Sequence, residues 1–450
     1  MSKKANGNKQ APTSSQRGIT QITVSGFKSI SDEQSIEIKP LTILAGANSS
    51  GKSSIMQPLL LLKQTLEATY DPGPLLINGP NVQFTSMDQL LSSVKDGQRT
   101  RNFSVGIGIG TQATLSLVMI HFKKSSPKGF DIQSMEISLS RKGKTASFHI
   151  GMTRKEIISN CRKLFESGSL MISILKDTKD LEIIRQRSFL TLNSTKYGIT
   201  HAGTFLLYLI EPYISQVVHL PGLRGNPERS FPITAVSSNF PGTFQEYCAS
   251  IIAKWQNEKN HSKLKQLSKY LERLGLTWKV TAKRINDAQV ELQVGRLPHA
   301  AKGGARDLVN IADVGFGVSQ TLPVLVALLV AEPGQLVYIE EPEIHLHPRA
   351  QSAMAQILAD AAKRGVRVVI ETHSQLLLLG IQTLVAEGKL SPELVKLHWF
   401  KRRNDGGTEI SSTDLDEAGA FGDWPEDFAE VSLEAESRYL DAAESQQTIN

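Results

Sequence analysis

The sequence predicts an α/β protein with a mixed or parallel core sheet, an antiparallel β meander and a helical insertion. Three observations predict this fold. A short apolar strand at 41–45 runs through a Gly/Ser-rich loop into an apolar helix. Helix and strand patterns alternate between 305 and 400, as in the βα units of a parallel sheet. Four short runs of alternating polarity between 102 and 150 are typical of neighbouring antiparallel strands.

The loop after the first core strand has the spacing Gly-x-x-x-x-Gly-Lys-Ser. Between a strand and a helix, this spacing predicts a phosphate-binding loop, in which backbone N–H groups and the helix N-terminus face the phosphates. Lys52 is expected to reach the β- and γ-phosphates, and the Ser53 hydroxyl is expected to hold Mg²⁺. The residues expected to bind the nucleotide here are Gly46, Asn48, Ser50, Gly51, Lys52, Ser53 and Ser54.

Composition bounds the class of protein. The 450 residues are 40% hydrophobic, which is enough for a large core in one or two domains. No apolar run reaches the roughly 18 to 20 residues of a membrane span, and the polar N-terminus lacks the apolar centre of a secretory signal. We therefore expect a cytoplasmic protein without a membrane partner. Cys161 and Cys248 have no partner at metal-ligand spacing, so the sequence predicts two reduced, buried thiols.

The net charge of +6 is unevenly distributed. Residues 1–20 carry +4 and residues 411–450 carry −10, which leaves +12 on the body of the chain. Between Lys254 and Arg284, nine basic residues face two acids. Such a basic stretch favours nucleic acid or an acidic protein as a partner. The same pattern fits the solvated outer face of an amphipathic helix equally well.

Five segments are predicted along the chain. Helices are expected within the insertion at 153–165, 203–214 and 244–274. The segments are a disordered basic tail (1–18), an N-terminal lobe with the phosphate loop and the meander (19–150), a helical, basic insertion (151–300), a C-terminal lobe (301–410) and an acidic C-terminal segment (411–450).

Two acids follow an apolar strand at the point where ligands of open α/β sheets bind. Adjacent strand residues point to opposite sides, so the acids can have different roles. Glu340 is expected in the shell of the Mg²⁺ ion, and Glu341 is expected to orient or deprotonate the attacking water. The next strand leads to His373, which is placed to contact the γ-phosphate.

A Gly-rich turn before the acid strand runs into another helix at Ser319. Free backbone N–H groups at a helix start can bind an anion. Because the chain already has a complete phosphate loop, this second anion site is expected to serve a nucleotide held by another subunit.

Four motifs in this order, GANSSGKSS, GFGVSQTLP, YIEEPEIHLHP and ETHSQ, resemble those of ABC-type ATPases. The resemblance is to the recombination, SMC-related and overcoming-lysogenisation-defect branch, and most of all to the compact ATPase subunits of bacterial antiphage defence gene pairs. It implies a P-loop ABC-type ATPase fold, ATP and Mg²⁺ as cofactors, and an ATP-dependent homodimer or higher oligomer. It also implies a partner effector, such as a nuclease or toxin, with nucleic acid as a further partner.

The resemblance assigns roles motif by motif. Lys52 and Ser53 match Walker A, Glu340 and Glu341 match Walker B, and His373 matches the switch histidine. The signature acting on the other subunit corresponds to Gly317, Ser319 and Gln320, and the D-loop to 343–348. The Q-loop residue is Gln83 or Gln89, and Gln83 is taken as a third residue of the metal site. His219-Leu-Pro-Gly-Leu-Arg224 is also family-like, but the sequence suggests no role for it.

The resemblance implies a Mg²⁺-dependent ATPase that acts as an ATP-driven conformational switch, which senses or remodels nucleic acid or controls a partner effector in bacterial antiphage defence. Other functions are alternatives to this switch. A recombination or repair ATPase is the main alternative, and the ATPase subunit of a transporter is another. A self-contained nuclease would need a further acidic site, and only 34 residues follow Asp414-Leu-Asp416, so an acidic loop is expected there. A metal site at His345 and His347 is rejected because no further ligands lie at useful spacing.

Overall fold

The computed structural model describes residues 17–93, 99–111, 114–125, 129–139, 143–166, 169–194, 210–297, 307–422 and 437–438. The predicted tail lies outside these residues up to 16, and the acidic segment lies outside them from 423 onward, apart from 437 and 438. Most of the helix predicted at 203–214 also lies outside the described residues.

Strands and helices alternate along the described chain. The strands are β1 (Gly18–Ser25), β2 (Gln34–Glu37), β3 (Leu41–Gly46), β4 (Asn102–Thr111), β5 (Thr114–Ser125), β6 (Gly129–Leu139), β7 (Lys144–Phe148), β8 (Glu182–Gln186), β9 (Phe189–Asn193), β10 (Val218–Leu220), β11 (Phe231–Pro232), β12 (Val280–Arg284), β13 (Gln289–Gly295), β14 (Leu308–Asn310), β15 (Leu336–Glu340), β16 (Arg367–Thr372), β17 (Val395–Arg402) and β18 (Thr408–Thr413). The α-helices are α1 (Lys52–Glu67), α2 (Arg154–Leu164), α3 (Leu170–Asp177), α4 (Glu211–Ser215), α5 (Cys248–Asn257), α6 (His261–Arg273), α7 (Phe316–Val330), α8 (Pro348–Lys363) and α9 (Gln375–Ala386).

A six-stranded core sheet has the order β10-β15-β16-β3-β17-β18. Its first five strands are parallel, and β18 pairs antiparallel with β17. All six residues of β3 are buried, as expected for a central parallel strand covered on both faces. The prediction that the phosphate-loop strand shares a sheet with the strands of 305–400 is therefore confirmed. The antiparallel edge strand β18 was not predicted.

The core sheet separates two hydrophobic cores. Leu41, Ile43 and Ala45 of β3 belong to the core that contains α5 to α9, whereas Leu44 belongs to the core shared with α1 and the meander. This alternation follows from the period of two in a strand. Full burial of each such leucine or isoleucine contributes roughly 1.5–3 kcal/mol to folding, so both faces of β3 hold the sheet in place.

The second sheet is antiparallel, in the order β2-β1-β4-β5-β6-β7. From β4 to β7 each strand pairs with the next one along the chain, which confirms the predicted meander. The first strand, β1, pairs with both β2 and β4. The segments just before the phosphate-loop strand therefore belong to the meander sheet.

The middle of the chain contains more strand than the sequence predicted. A hairpin joins β8 to β9, and β13 pairs with β11, β12 and β14. The single helix predicted at 244–274 is wrong, because a 3-10 turn at Phe244–Tyr247 is followed by the separate helices α5 and α6. The side chain of Asn260 accepts a hydrogen bond from Lys263 N at 3.2 Å. This N-cap starts α6 afresh and explains the break.

His398 on β17 joins the core sheet to the meander sheet. Its Nε2 donates to Glu37 O at 2.8 Å, and its Nδ1 accepts from Ser412 Oγ at 2.7 Å. The ring is fully buried, and burial lowers the pKa of His398 to about 4. A protonated ring would present a second N–H where Ser412 now donates.

Stability is expected to fall below pH 6.5 because of His398. As the pH falls from 6.5 towards 4, His398 binds a proton in the unfolded chain but not in the folded chain. The free energy of unfolding is therefore highest above pH 6.5 and decreases between pH 6.5 and 4. The loss reaches about 3 kcal/mol, and denaturant unfolding at about pH 7.5 and about pH 4.5 measures it. His398→Gln should show a smaller pH dependence, whereas the exposed His261→Asn control should match wild type. Equal pH dependence in all three proteins would contradict the prediction.

Both cysteines are free and buried, as predicted for reduced thiols. Burial raises the pKa of the Cys161 thiol to about 12 and that of Cys248 further still. Neither thiol is therefore ionised at neutral pH. Across the described segments, none of the helices has the length and apolar character needed to cross a bilayer.

Candidate nucleotide-binding site

The phosphate loop joins β3 to α1 and needs both of its motif glycines. Gly46 has φ +149° and Gly51 has φ +99°, conformations that favour glycine. A Cβ on Gly46 would lie 2.3 Å from Phe400 O, and one on Gly51 would lie 2.2 Å from Thr408 Oγ1. The β17–β18 hairpin therefore packs directly against the back of the loop.

Lys52 is almost fully buried at the start of α1. Its Nζ donates to Gly46 O and to Ala47 O, both at 3.0 Å. Burial lowers the pKa of Lys52, while the nearby charges of Glu371 and Glu341 oppose that shift. Its ammonium group therefore lies within the loop that the sequence assigns to the β- and γ-phosphates.

The remaining loop residues differ in exposure. Asn48 is exposed at the rim, whereas Ser50 and Ser54 are buried. The Ser50 carbonyl accepts a hydrogen bond from Thr408 Oγ1 at 2.8 Å. Among the described residues its own Oγ has no hydrogen-bond partner. A polar oxygen is thus left for a ligand at the centre of the loop.

The acid pair lies where β15 ends. The backbone N–H of Glu341 donates to Glu371 O at 2.9 Å, and Glu341 has φ +45°, which is uncommon for a residue with a Cβ. Glu340 Oε1 lies 3.2 Å from His219 Nε2, and its Oε2 accepts from Gly222 N at 3.0 Å. The two acids therefore have different surroundings, and they differ because Glu341 follows the strand and does not continue it.

His373 lies between the phosphate loop and Glu341. Its Nε2 is 3.8 Å from Glu341 Oε1, and the ring lies near the Gly46 backbone of the loop. Burial and the Lys52 charge lower the pKa of His373, so the ring is neutral at pH 7. In the D-loop, Glu343 accepts from His373 N at 3.2 Å. The phosphate loop, Glu341, His373 and Glu343 are thus joined in one site.

The predicted signature forms the start of α7, one turn earlier than the predicted helix start at Ser319. The helix begins at Phe316, whose half-exposed ring packs against His345 of the D-loop with 5.8 Å between ring centroids. Ser319 Oγ donates to Phe316 O at 3.1 Å. Gly317 and Ser319 are half-buried, so this first turn remains accessible at the surface.

Gln320 is engaged within its own chain. It is buried, its Nε2 donates to Gly225 O at 2.6 Å, and its Oε1 accepts from Arg224 N at 3.2 Å. A contact between this side chain and a nucleotide would require these hydrogen bonds to change. The assignment of Gln320 to the nucleotide site stays a prediction.

Two family models match separate parts of the chain. The model described as "AAA ATPase domain" matches residues 18–193, which contain the phosphate loop. The model described as "AAA domain, putative AbiEii toxin, Type IV TA system" matches residues 257–379, which contain the signature segment, the acid pair and His373. The chain is an ATPase. Its fold is α/β, with a mixed core sheet, an antiparallel meander and several helices in the middle of the chain.

Solved structures of SMC heads also align with this ATPase. An SMC head bound to the C-terminal winged-helix domain of ScpA is 14% identical, with 89% of this chain and 99% of that chain covered at a TM-score of 0.49. The SMC head domain from Thermotoga maritima is 11% identical, with 88% and 100% covered at 0.42. The head with an extended coiled coil from Pyrococcus furiosus, bound to the C-terminal domain of ScpA, is 13% identical, with 89% and 97% covered at 0.47. No curated protein matches the sequence.

Glu371 is a residue of the ATPase site that the sequence analysis missed. Ser53 Oγ donates to Glu371 Oε2 at 2.8 Å, and the Tyr338 hydroxyl donates to Glu371 Oε1. Burial and repulsion from Glu340 raise the pKa of Glu371 to about 7. Its strand, β16, lies between β15 and the phosphate-loop strand β3, so Glu371 pairs with both Glu340 and Leu44. The signal available in the sequence was an acidic residue within this otherwise apolar strand.

The residues around Ser53 fit a magnesium ion. Mg²⁺ prefers oxygen ligands and is commonly held by one or two carboxylates together with substrate phosphates. Ser53 would supply a hydroxyl, and the carboxylate next to it is that of Glu371, at 2.8 Å. Glu340, which pairs with Glu371 on the neighbouring strand, would supply a second carboxylate. Burial favours the protonated acid, but hydrogen bonds from His219 and Gly222 lower the pKa of Glu340 below its usual value. An ionised carboxylate is therefore present for the ion at neutral pH.

Neither Q-loop candidate reaches this group. Gln83 is exposed and pairs with Asn78 in an isolated bridge. Gln89 Oε1 accepts from Thr85 N at 2.9 Å, and its Nε2 donates to Thr85 Oγ1 at 3.1 Å. Within the described chain, neither side chain has a recorded hydrogen bond to Ser53 or Glu340. The Q-loop assignment and the metal role of Gln83 stay predictions.

The rejected sites have structural contacts of their own. Asp414 forms ion pairs with Lys39 at 2.7 Å and with Lys396 at 2.9 Å, and Asp416 Oδ1 accepts from Ala420 N. His347 Nδ1 accepts from the backbone at the start of α8. Across the residues that the structure describes, no group of three or more His, Cys, Asp or Glu could by itself hold a metal ion.

Proposed function

We propose that this ATPase is an ATP-driven switch in which two copies enclose two nucleotides. The observation that carries the proposal is the separation of two anion-binding elements on one chain. Lys52, Glu341 and His373 converge around the phosphate loop, whereas the accessible first turn of α7 has no recorded contact with that loop in the described residues. Each α7 start then serves the nucleotide of the other copy.

The residues at the loop suit Mg²⁺-dependent hydrolysis of ATP. Water attacks the γ-phosphorus while the bond to the β–γ bridging oxygen breaks, which gives ADP and phosphate. Glu341 accepts the proton of the water, Lys52 stabilises charge on the phosphates, and His373 contacts the γ-phosphate. Ser53 and Glu340 would hold Mg²⁺, which neutralises phosphate charge when bound.

The output of the switch passes to a partner effector, for which we propose a nuclease or toxin in antiphage defence. The family model that matches residues 257–379 is described as a putative toxin of a type IV system, which supports this choice over recombination or repair. Co-purification from the native host tests it. Recovery of a nuclease or toxin would support a role in defence. Recovery of recombination proteins would support a role in repair, and recovery of a membrane permease would support the transporter alternative.

Replacement of Ser319 by arginine is expected to spare ATP binding and to remove ATP-dependent self-association. The long cation would fill the first turn of α7, where the second copy's phosphates approach. Turnover should fall by about 100-fold or more, since small misplacements at a reacting centre have effects of that size. Sedimentation with and without ATP, together with phosphate release, measures both effects.

Ser262→Arg is the matched control because Ser262 is an exposed serine in the first turn of α6. It should behave like wild type in both assays. Unchanged turnover or unchanged ATP-dependent association in Ser319→Arg would refute the shared site.

A basic face, defined as Lys259, Lys265, Lys269 and Arg273, is exposed along α6 and the turn before it. We propose that it binds nucleic acid. Lys263 is not part of this face, because its Nζ donates to Leu329 O near the end of α7. Its reversal would disturb the fold and is unsuitable for testing binding.

Charge reversal at Lys259, Lys265 and Lys269 is expected to weaken DNA or RNA binding and its dependence on salt. Each lost phosphate contact lowers the slope of log K against log salt by about 0.9 for duplex DNA. Titrations at several salt concentrations measure the slope, and basal ATP hydrolysis should remain unchanged. Lys155→Glu and Lys176→Glu, on exposed positions of α2 and α3, are the controls. If binding changes neither with salt nor with the charge reversals, the basic face does not bind nucleic acid and is an ordinary solvated helix face.

A further inference from the structure

The strand β10 and the turn after it bind the carboxylate of Glu340. His219 is buried, stacks on Tyr338 with 5.4 Å between ring centroids, and directs Nε2 at one oxygen of Glu340. The other oxygen accepts from Gly222 N. The end of β10 and its following turn therefore fix the carboxylate at both oxygens, although His219 lies 121 residues from Glu340 in sequence.

Arg224 in the same turn holds the backbone on either side of the acid pair. Its Nη2 donates to Glu340 O at 2.6 Å and lies 3.4 Å from Glu341 O. These two carbonyl groups lie directly before and after the Cα atom of Glu341. The φ angle of Glu341 is positive, which is unfavourable for a residue with a Cβ. A fixed donor at this point helps to hold Glu341 in that conformation.

The same arginine contacts the helix that carries the signature. Its Nη1 donates to Gln320 O at 3.3 Å, and its backbone N–H donates to Gln320 Oε1 at 3.2 Å. Gln320 in turn donates to Gly225 O. One buried guanidinium group thus connects the end of β15 with the first turns of α7, by a planar fork of donors that lysine does not have.

We propose that Arg224 is a positioning residue that couples the two acids of its own chain to the α7 start presented to the second copy. The proposal rests on the shared site of the proposed function. In a dimer, the acids of one copy serve one composite site and its α7 start serves the other. Loss of Arg224 in one copy should therefore impair both sites, whereas Glu341→Gln and Ser319→Arg each impair one.

Mixed dimers test this coupling. Glu341→Gln and Ser319→Arg copies are each inactive alone, but a mixed dimer keeps one intact site, built from the acids of the Ser319→Arg copy and the α7 start of the Glu341→Gln copy. A mixed dimer associates through its one intact site only, so sedimentation with ATP first measures the share of mixed dimers. Random pairing would make about half of the dimers mixed and give about a quarter of wild-type activity, and weaker pairing of the Ser319→Arg copy lowers this value in proportion to the measured share. Arg224→Gln is then added to one type of copy at a time.

Coupling predicts that kcat of the mixture falls at least about tenfold whichever copy carries Arg224→Gln. The affinity of each copy for ATP should stay within about threefold of the value measured for the same copy without Arg224→Gln. A loss in only one arrangement would confine Arg224 to one element and overturn the proposal, as would no loss in either. An inactive mixture before Arg224 is changed would refute the shared site instead, and this proposal with it.

Two further variants separate positioning from folding. Arg224→Lys keeps the charge, but its single ammonium group cannot span both sets of carbonyls, so the same losses are expected. It replaces Arg224→Gln in both arrangements if the glutamine variant does not fold by circular dichroism. Arg229→Gln is the control, because Arg229 follows in the same segment but is 72% exposed and bound to Asp313. It should leave the activity of the mixture unchanged, and an equal loss there would overturn the specific role of Arg224.

Discussion

Replacement of Lys52 by alanine is expected to weaken ATP binding by at least about 100-fold, equivalent to about 3 kcal/mol. The ammonium group is buried within the phosphate loop and now donates to the Gly46 and Ala47 carbonyls. When phosphates bind, it can exchange these neutral acceptors for charged ones, which form stronger hydrogen bonds. Equilibrium binding of a fluorescent ATP analogue measures the loss.

Lys155→Ala is the control for Lys52→Ala, since Lys155 is an exposed lysine of α2. Its affinity for the analogue should match wild type. Wild-type affinity in Lys52→Ala would show that the loop does not bind the nucleotide phosphates.

Replacement of Glu341 by glutamine is expected to preserve ATP binding and to lower turnover by about 10²- to 10⁴-fold, the range typical of a general base. The amide keeps the shape of the side chain but cannot accept the proton of the attacking water. Single-turnover hydrolysis and equilibrium binding separate the two effects. Stable ATP-bound dimers should accumulate because the reset step is slow.

Glu332→Gln provides the matched control for Glu341→Gln, because Glu332 is an exposed acid near the opposite end of the same strand. It should hydrolyse ATP at the wild-type rate. If Glu341→Gln lost ATP binding as completely as Lys52→Ala, the separate roles of the two residues would be wrong.

The sequence predicted the parts of the ATPase whose pattern is local. The apolar strand before Gly46, the glycine spacing of the loop and the run that ends at Glu340 each lie within a few neighbouring residues. A continuous run of apolar residues indicates a parallel strand that is buried on both faces of its sheet. The shared sheet follows from these runs, because strands of this kind need one another to be covered.

Contacts between distant segments could not be predicted in this way. Gln320 lies 96 residues from Arg224, and nothing near it in sequence shows that it faces inward. The role of Glu371 depends on the order of three strands, which composition does not give. The break between α5 and α6 is different, since Asn260 is a favourable N-cap and its signal was present in the sequence.

The position of β3 has a consequence for how the ATPase is made. Its neighbours β16 and β17 are synthesised long after it, and Ser53 and Glu371 are 318 residues apart in sequence. The meander pairs neighbouring strands and can form while translation continues, because local contacts have a small loop-closure cost. During this time the apolar strand β3 has no partner strands. Exposed apolar surface and unpaired strand edges of this kind make incomplete chains prone to aggregate. We therefore expect the nucleotide site to be complete only after β16 and β17 have emerged from the ribosome.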